Sequence, residues 1–148
     1  MTLLHPLLAF LHVLSISVWM AAALWVAGDV RRTLASGRPH VDLLPQRVRP
    51  ALGLDAAAGI ATFVTGALLM WEEHLGRPRL GITAGIVFTL VRLGLLAAVR
   101  RAFRSIAARL RAGETVPTTD PAARRVAMLS GIAHTLWLLA LAGMIFPI

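Results

Sequence analysis

Two of the five histidines, His12 and His134, lie inside long apolar stretches of the sequence. An imidazole in hydrocarbon is costly unless it coordinates a metal or forms a hydrogen bond. A metal ion or a haem iron is a strong partner for such a side chain; a backbone carbonyl or a serine hydroxyl is the alternative. If both imidazoles face one interior, His12 and His134 would be the axial ligands of a haem iron.

Arg92 and Asp55 are the two charged residues placed within apolar stretches. A charge in that position needs an opposite charge nearby, so the two side chains would form an ion pair, although Arg92 could instead snorkel to the membrane surface. In a haem protein the guanidinium of Arg92 would suit a propionate. Trp19 lies seven residues after His12 on the same helical face, where it would pack ordinarily or wall the cofactor.

A second group of metal-ligand side chains lies near the ends of the apolar stretches. Histidine nitrogens and thioether sulfurs suit copper. The sequence therefore offers a copper site at the mouth of the bundle as an alternative to haem, and simple solvation of these side chains as the other interpretation. The copper set would be His5, His12, His74 and Met70.

Four apolar stretches would position these residues, at about residues 6–28, 51–71, 80–99 and 126–146. Each is close to the ~20 residues that cross a hydrocarbon core of ~30 Å. The composition agrees, with 57% hydrophobic residues and a mean hydropathy of +0.74. The sequence predicts one all-α domain over residues 1–148, an integral membrane four-helix bundle.

The orientation follows from the arginines. The connections at 29–50 and 100–125 carry twelve arginines, whereas the turn at 72–79 carries two, with two glutamates. The arginine-rich connections are therefore predicted in the cytoplasm and both termini outside, in a multi-pass protein of the bacterial inner membrane. The net charge of +8 lies in these blocks, so it does not indicate nucleic-acid binding.

Two helices are predicted to continue into the cytoplasm. Phe103, Ile106 and Leu110 extend an apolar stripe beyond the third stretch, and Gly113 is a natural helix stop. Residues 29–36 extend the first helix similarly, up to a glycine.

The fourth helix has a start sequence of its own. Asp120 is a favoured capping residue, and Pro121 suits the first helical position. In the second stretch, Gly59 and Gly66 are small enough to let neighbouring helices approach closely.

The run Phe10 to Ser15 (FLHVLS), followed by Trp19 and by DVRRTL at 29–34, resembles the first helix of a group of small bacterial membrane proteins. The group includes the HemJ-type protoporphyrinogen oxidases and the copper resistance protein D-like domains. The HemJ type implies haem b held by His12 and oxidation of a porphyrinogen; the copper-resistance type implies copper handling at histidines near the outer face.

The chain departs from the HemJ type at one point, because it has no lysine, whereas that type has one in the third helix. Arg92 is the candidate substitute in charge. The resemblance therefore implies haem binding more than porphyrinogen oxidation.

The leading hypothesis is thus a redox protein that binds haem b. Such a protein would act as a membrane oxidoreductase, with an electron donor or acceptor that the sequence does not identify. Copper handling is the alternative, and a cofactor-free structural subunit is the third. The lipid bilayer and a second copy of the chain are the expected partners. The absence of cysteine excludes thiolate metal sites and cysteine nucleophiles.

The arginine distribution makes a topological prediction. A tag placed after Ile148 should react with a membrane-impermeant label in intact cells, because positively charged connections stay in the cytoplasm. Labelling that needs a broken inner membrane would reverse the orientation. A tag inserted near Glu114, in the second arginine-rich connection, is the matched control and should stay protected.

Overall fold

A computed structural model of the chain describes residues 3–72 and 80–145. These residues contain no strand, and all four long helices are long and apolar enough to cross a membrane. The predicted all-α four-helix bundle is confirmed. The helices are α1 (Leu4–Ser36), α2 (Leu44–Glu72), α3 (Leu80–Arg111) and α4 (Pro121–Ile145), with a short 3₁₀ helix (His40–Leu43) before α2.

The helices are longer than the apolar stretches from which they were predicted. α1 and α3 continue to Ser36 and Arg111, as the sequence predicted. α2 begins at Leu44 and carries Pro50 in its interior, although the apolar pattern began only after that proline. Val48 and Leu52, on either side, are 0% and 5% exposed. Their packing outweighs the hydrogen bond that Pro50 cannot donate.

The predicted stop of α3 is a Schellman motif. The Gly113 amide donates to the Leu110 carbonyl, and the Glu114 amide donates to the Arg109 carbonyl. In this motif the first of the two donor residues adopts a left-handed backbone conformation, and Gly113 has φ 83°. The turn ends α3 and directs the chain toward α4, and the carbonyls of Arg109 and Leu110 keep hydrogen-bond partners.

The buried core is concentrated at one end of the bundle. We call this the arginine-rich end, because the α1–α2 and α3–α4 connections lie there. Phe103, Ile106 and Val126 are 2%, 0% and 0% exposed and belong to one cluster with the buried side chains around Val48. Toward the start of α1 the large side chains point outward instead, as lipid-facing residues do; examples are Phe10, Val13 and Leu14.

Polar contacts connect the helices at the same end. Arg47 of α2 lies 3.2 Å from the Asp29 carboxylate of α1 and donates to the Thr33 hydroxyl at 2.7 Å. Arg100 of α3 donates to the Leu52 carbonyl of α2 at 2.7 Å. The arginine-rich end is therefore held by both apolar packing and charge-assisted hydrogen bonds.

Asp120 caps α4 as predicted. Its carboxylate accepts from the Ala122 amide at 2.8 Å and from the guanidinium of Arg109 at the end of α3. Burial alone raises the pKa of this carboxyl group, but the hydrogen bonds from Arg109 and Ala122 hold the pKa below its ordinary value. The same side chain thus starts α4 and joins it to α3.

Substitution Asp120→Ala should reduce the free energy of unfolding by about 0.5–2 kcal/mol at neutral pH, the usual cost of losing such a cap. A carboxyl group whose pKa is depressed by folding stabilises above its unfolded pKa, and that stability is lost as pH falls through the folded value. The difference between the variant and the parent should therefore shrink below about pH 4. Thermal unfolding in detergent, followed by tryptophan fluorescence, measures both.

Asp120→Asn is the matched control, since asparagine also caps helices well but carries no charge for Arg109. It should lose less stability than the alanine variant at neutral pH. Equal losses would mean that the ion pair, and not the cap, accounts for the contribution of Asp120.

Candidate functional site

The imidazole of His12 is held by a threonine on the neighbouring helix. Nδ1 of His12, on α1, lies 2.9 Å from the Thr65 hydroxyl oxygen on α2. Thr65 donates its own hydroxyl proton to the Ala61 carbonyl, 2.7 Å away. The Thr62 carbonyl lies 3.2 Å from the same hydroxyl. A hydroxyl has one proton to donate, and when Thr65 donates it to a carbonyl, Thr65 accepts from Nδ1 of His12.

This arrangement favours one tautomer of His12. In it Nδ1 carries the proton, and Nε2 keeps its lone pair. Among the described residues, the side-chain hydrogen bond of the ring runs through Nδ1, to Thr65, and the Thr62 backbone also interacts with the imidazole. A metal-bound histidine has the same arrangement: one nitrogen is oriented by an acceptor and the other is available to the metal.

His12 borders a cavity of about 210 Å³ between α2 and α3. Most of its lining is apolar, and Met70 contributes a thioether. Gly66 forms the wall beneath the imidazole; a Cβ there would lie 3.1 Å from Cε1 of His12. The glycine thus lets the ring lie directly against α2.

Ser15 lies one turn from His12 but does not bond its imidazole. Its hydroxyl donates to the His12 backbone carbonyl at 2.9 Å and accepts from Thr62 at 3.1 Å. Ser15 therefore joins α1 to α2 one turn below the imidazole, whereas Thr65 orients the ring. Sequence reasoning missed Thr65, because a threonine in an apolar helix usually bonds its own backbone.

Arg92 and Asp55 form the predicted ion pair. Nη2 of Arg92 lies 3.4 Å from Oδ1 of Asp55 and 3.1 Å from the Trp19 carbonyl. The side chains of Arg92 and Asp55 are only 3% and 9% exposed. The guanidinium also lies over the Trp19 ring, 3.9 Å from its centroid, in a cation–π contact. The pair joins α1, α2 and α3.

Trp19 fits here because α2 has a glycine opposite it. A Cβ on Gly59 would lie 2.8 Å from the indole ring, closer than atoms can pack. The indole nitrogen interacts with Asp55 without meeting the geometry of a hydrogen bond. Trp19 thus walls the ion pair; neither Trp19 nor Arg92 lines the His12 cavity in the described part of the chain.

His134 lies apart from His12. Its Nδ1 donates to the Ser130 carbonyl at 2.6 Å, and its Nε2 is buried without a partner among the described residues. Ser130 borders a void of about 20 Å³ next to Asp55 and Arg92, a volume that suits a single water molecule. The structure therefore brings His134 toward the ion pair and does not bring the two histidines to one cavity.

The copper set is only partly assembled in the described residues. Met70 lines the His12 cavity, whereas His5 lies 3.2 Å from the Glu72 carboxylate. His74 lies outside the described residues. Within residues 3–72 and 80–145, no three histidine or acidic side chains cluster closely enough to hold a metal ion.

Comparison with protein families, with curated proteins and with solved structures finds no match to the chain. Its function must therefore be argued from the geometry of these two buried sites.

Asp55→Asn should destabilise the protein by about 3–5 kcal/mol, because it leaves Arg92 as a lone buried cation. Adding Arg92→Met should restore much of the loss, since replacing a whole buried pair by apolar groups is often neutral. Thermal unfolding in detergent, followed by the fluorescence of Trp19 and its neighbours, measures both effects.

Asp42→Asn is the matched control. Its ion pair with Arg38 spans 3.8 Å, and the two side chains are 49% and 54% exposed. Such pairs contribute at most about 1 kcal/mol. If Asp55→Asn costs no more than this control, Arg92 does not depend on Asp55 for its neutralisation.

Proposed function

We propose that this protein is a redox protein of the bacterial inner membrane that binds haem b through His12. One observation carries the proposal: Nδ1 of His12 lies 2.9 Å from the Thr65 hydroxyl beside an apolar cavity. When Thr65 donates its proton to the Ala61 carbonyl, Nδ1 donates to Thr65 and Nε2 offers its lone pair. Haem iron is held by neutral imidazole in many proteins. Haem b bound there would supply a one-electron couple within the membrane.

The chain's own residues orient this ligand. Thr65 favours this tautomer, and such an acceptor also raises the basicity of the ligating nitrogen. Gly66 admits the ring against α2. Phe63 and Ile86 are among the apolar side chains that line the cavity and would exclude water from a bound cofactor.

The imidazole of His12 and the apolar lining of its cavity suit haem, but the volume of the cavity limits how a haem would fit. The cavity holds about 210 Å³, less than the roughly 300–1,000 Å³ of most ligand pockets. A porphyrin would therefore need the opening between α2 and α3 as well. Those two helices make the least extensive contact among the consecutive long helices, which favours entry at this point.

Copper handling is the second candidate, and Met70 is the observation that favours it. A thioether and a neutral imidazole on one cavity are ligands that suit Cu(I), and a single ion needs no more volume than the cavity provides. Copper would then reach His12 by a route that includes His5, with its partner Glu72, and His74.

The resemblance of the first helix to the HemJ-type and copper resistance protein D-like group supports both candidates. It implies haem at the equivalent of His12 in the first type and copper at histidines near the outer face in the second. The excess of arginine in the long connections supports the inner-membrane assignment. The remaining alternative is a cofactor-free subunit in which Thr65 and Ser130 simply satisfy the two histidines.

Protein purified in mild detergent from haem-replete cells should show a Soret band that shifts on reduction. His12→Ala should abolish the band, and added imidazole should restore part of it by replacing the missing ligand. Thr65→Val should keep the band but weaken haem retention by about 10–100-fold, as loss of such an acceptor does. Thr65→Ser, which keeps the hydroxyl, is its matched control.

His5→Ala and His40→Ala control for general effects of losing a histidine and should leave the Soret band intact. His134→Ala should also leave it intact, since His134 does not line the cavity. A change from low-spin to high-spin iron in that variant would instead make His134 the second axial ligand. Elemental analysis separates the alternatives: colourless protein with copper would favour the second candidate, and metal-free protein the structural subunit.

A further inference from the structure

Three arginines surround a groove of about 260 Å³ between α2 and α3, at the arginine-rich end of the bundle. Arg49 comes from α2, and Arg100 and Arg104 come from α3. The floor is apolar, formed mainly by Leu52 and Phe103, which are 5% and 2% exposed. We call this the arginine groove.

No carboxylate in the described part of the chain neutralises these three arginines. Each acidic residue there is already engaged elsewhere: Asp29 with Arg47, Asp42 with Arg38, Asp55 with Arg92, Glu72 with His5, and Glu114 and Asp120 with Arg109. Arg100 donates to the Leu52 carbonyl at 2.7 Å, which holds its guanidinium at the groove. Asp55 interacts with Arg100 electrostatically, but its salt bridge is with Arg92. The groove therefore presents three positive charges to an anion from outside the chain.

The depth of the groove in the membrane identifies the kind of anion. Trp19 lies against both Gly59 and Arg92, and Trp19 is near the middle of the first apolar stretch. Counting along the helices from this level at 1.5 Å per residue places the three arginines ~12–18 Å away, with Arg100 the nearest and Arg104 the farthest. Half of a hydrocarbon core is ~15 Å, and the headgroup layer extends to ~20–22 Å. The backbones of these arginines therefore straddle the edge of the hydrocarbon core, from which long guanidinium side chains reach the phosphate level.

We propose that the arginine groove binds the phosphate headgroup of an anionic phospholipid, with the apolar floor against the start of its acyl chains. Guanidinium groups match phosphate oxygens in geometry and charge, and basic pockets between transmembrane helices bind such headgroups. The bound lipid bridges α2 and α3 where Arg100 already joins them. This site is separate from the His12 cavity and does not depend on the proposed cofactor.

The test uses the full-length protein in detergent, with native mass spectrometry to count bound lipid and thermal unfolding to follow stability. Phosphatidylglycerol should bind and raise the unfolding temperature, whereas phosphatidylcholine should do neither. Substituting Arg49→Gln together with Arg104→Gln should weaken phosphatidylglycerol binding about thirtyfold, and Arg104→Gln alone about fivefold. Both side chains are exposed, so neither change removes a core contact.

Arg31→Gln together with Arg32→Gln is the matched control. These exposed arginines of α1 lie at a similar depth, and the double change removes the same charge. Binding should stay within about twofold, because charges that do not touch the headgroup are screened.

Three results would overturn the proposal. Equal losses in the two double variants would mean diffuse attraction to net positive charge. Equal binding of phosphatidylcholine would remove the requirement for an anionic headgroup. Equal stabilisation by inorganic phosphate alone would assign the groove to a free anion instead of a lipid.

Discussion

A guanidinium in the middle of a bilayer cannot be neutralised by solvent, so the protein must supply its partners. Arg92 finds them on two other helices, in the carboxylate of Asp55 and in the carbonyl and ring of Trp19. None of these contacts is available to α3 alone. The pair therefore selects one arrangement of α1, α2 and α3 from the many that apolar side chains would permit in lipid, where packing without polar contacts discriminates weakly. Gly59 belongs to the same constraint, because any larger residue would displace Trp19.

The packing of the bundle differs on the two sides of the Arg92–Asp55 pair. Toward the arginine-rich end, large side chains such as Phe103 and Ile106 fill the interior, and Arg100 and Arg47 join neighbouring helices. Toward the start of α1, the interior side chains are fewer and small or polar, and α2 and α3 leave the cavity beside His12. A rigid half thus supports a half in which a ligand has room, which is the usual division between scaffold and site.

The sequence predicted those features that follow from local pattern or from charge. Helix number, the ends of α1 and α3 and the cap at Asp120 depend on periodicity and on residues adjacent in the chain, and the structure has them. The Arg92–Asp55 pair was predictable because two isolated charges in hydrocarbon have few other choices. The His12–Thr65 bond was not, since it depends on the rotation of α2 about its axis. The separation of His12 from His134 also depends on how four helices are rotated and staggered, which apolar periodicity does not specify.

The two buried sites are close enough to influence each other. His12 and Trp19 are seven residues apart on α1, or ~10.5 Å along the helix, and Thr62 and Thr89 border both the His12 cavity and the small void beside Trp19. An unpaired Arg92 at roughly 10 Å would shift the energy of a unit charge at His12 by about 1.7 kcal/mol with an effective dielectric constant of about 20. Asp55 cancels most of that field. The ion pair thus allows Arg92 to organise the helices while leaving His12 in surroundings that are electrically nearly neutral, which the proposed role of His12 as a neutral ligand would require.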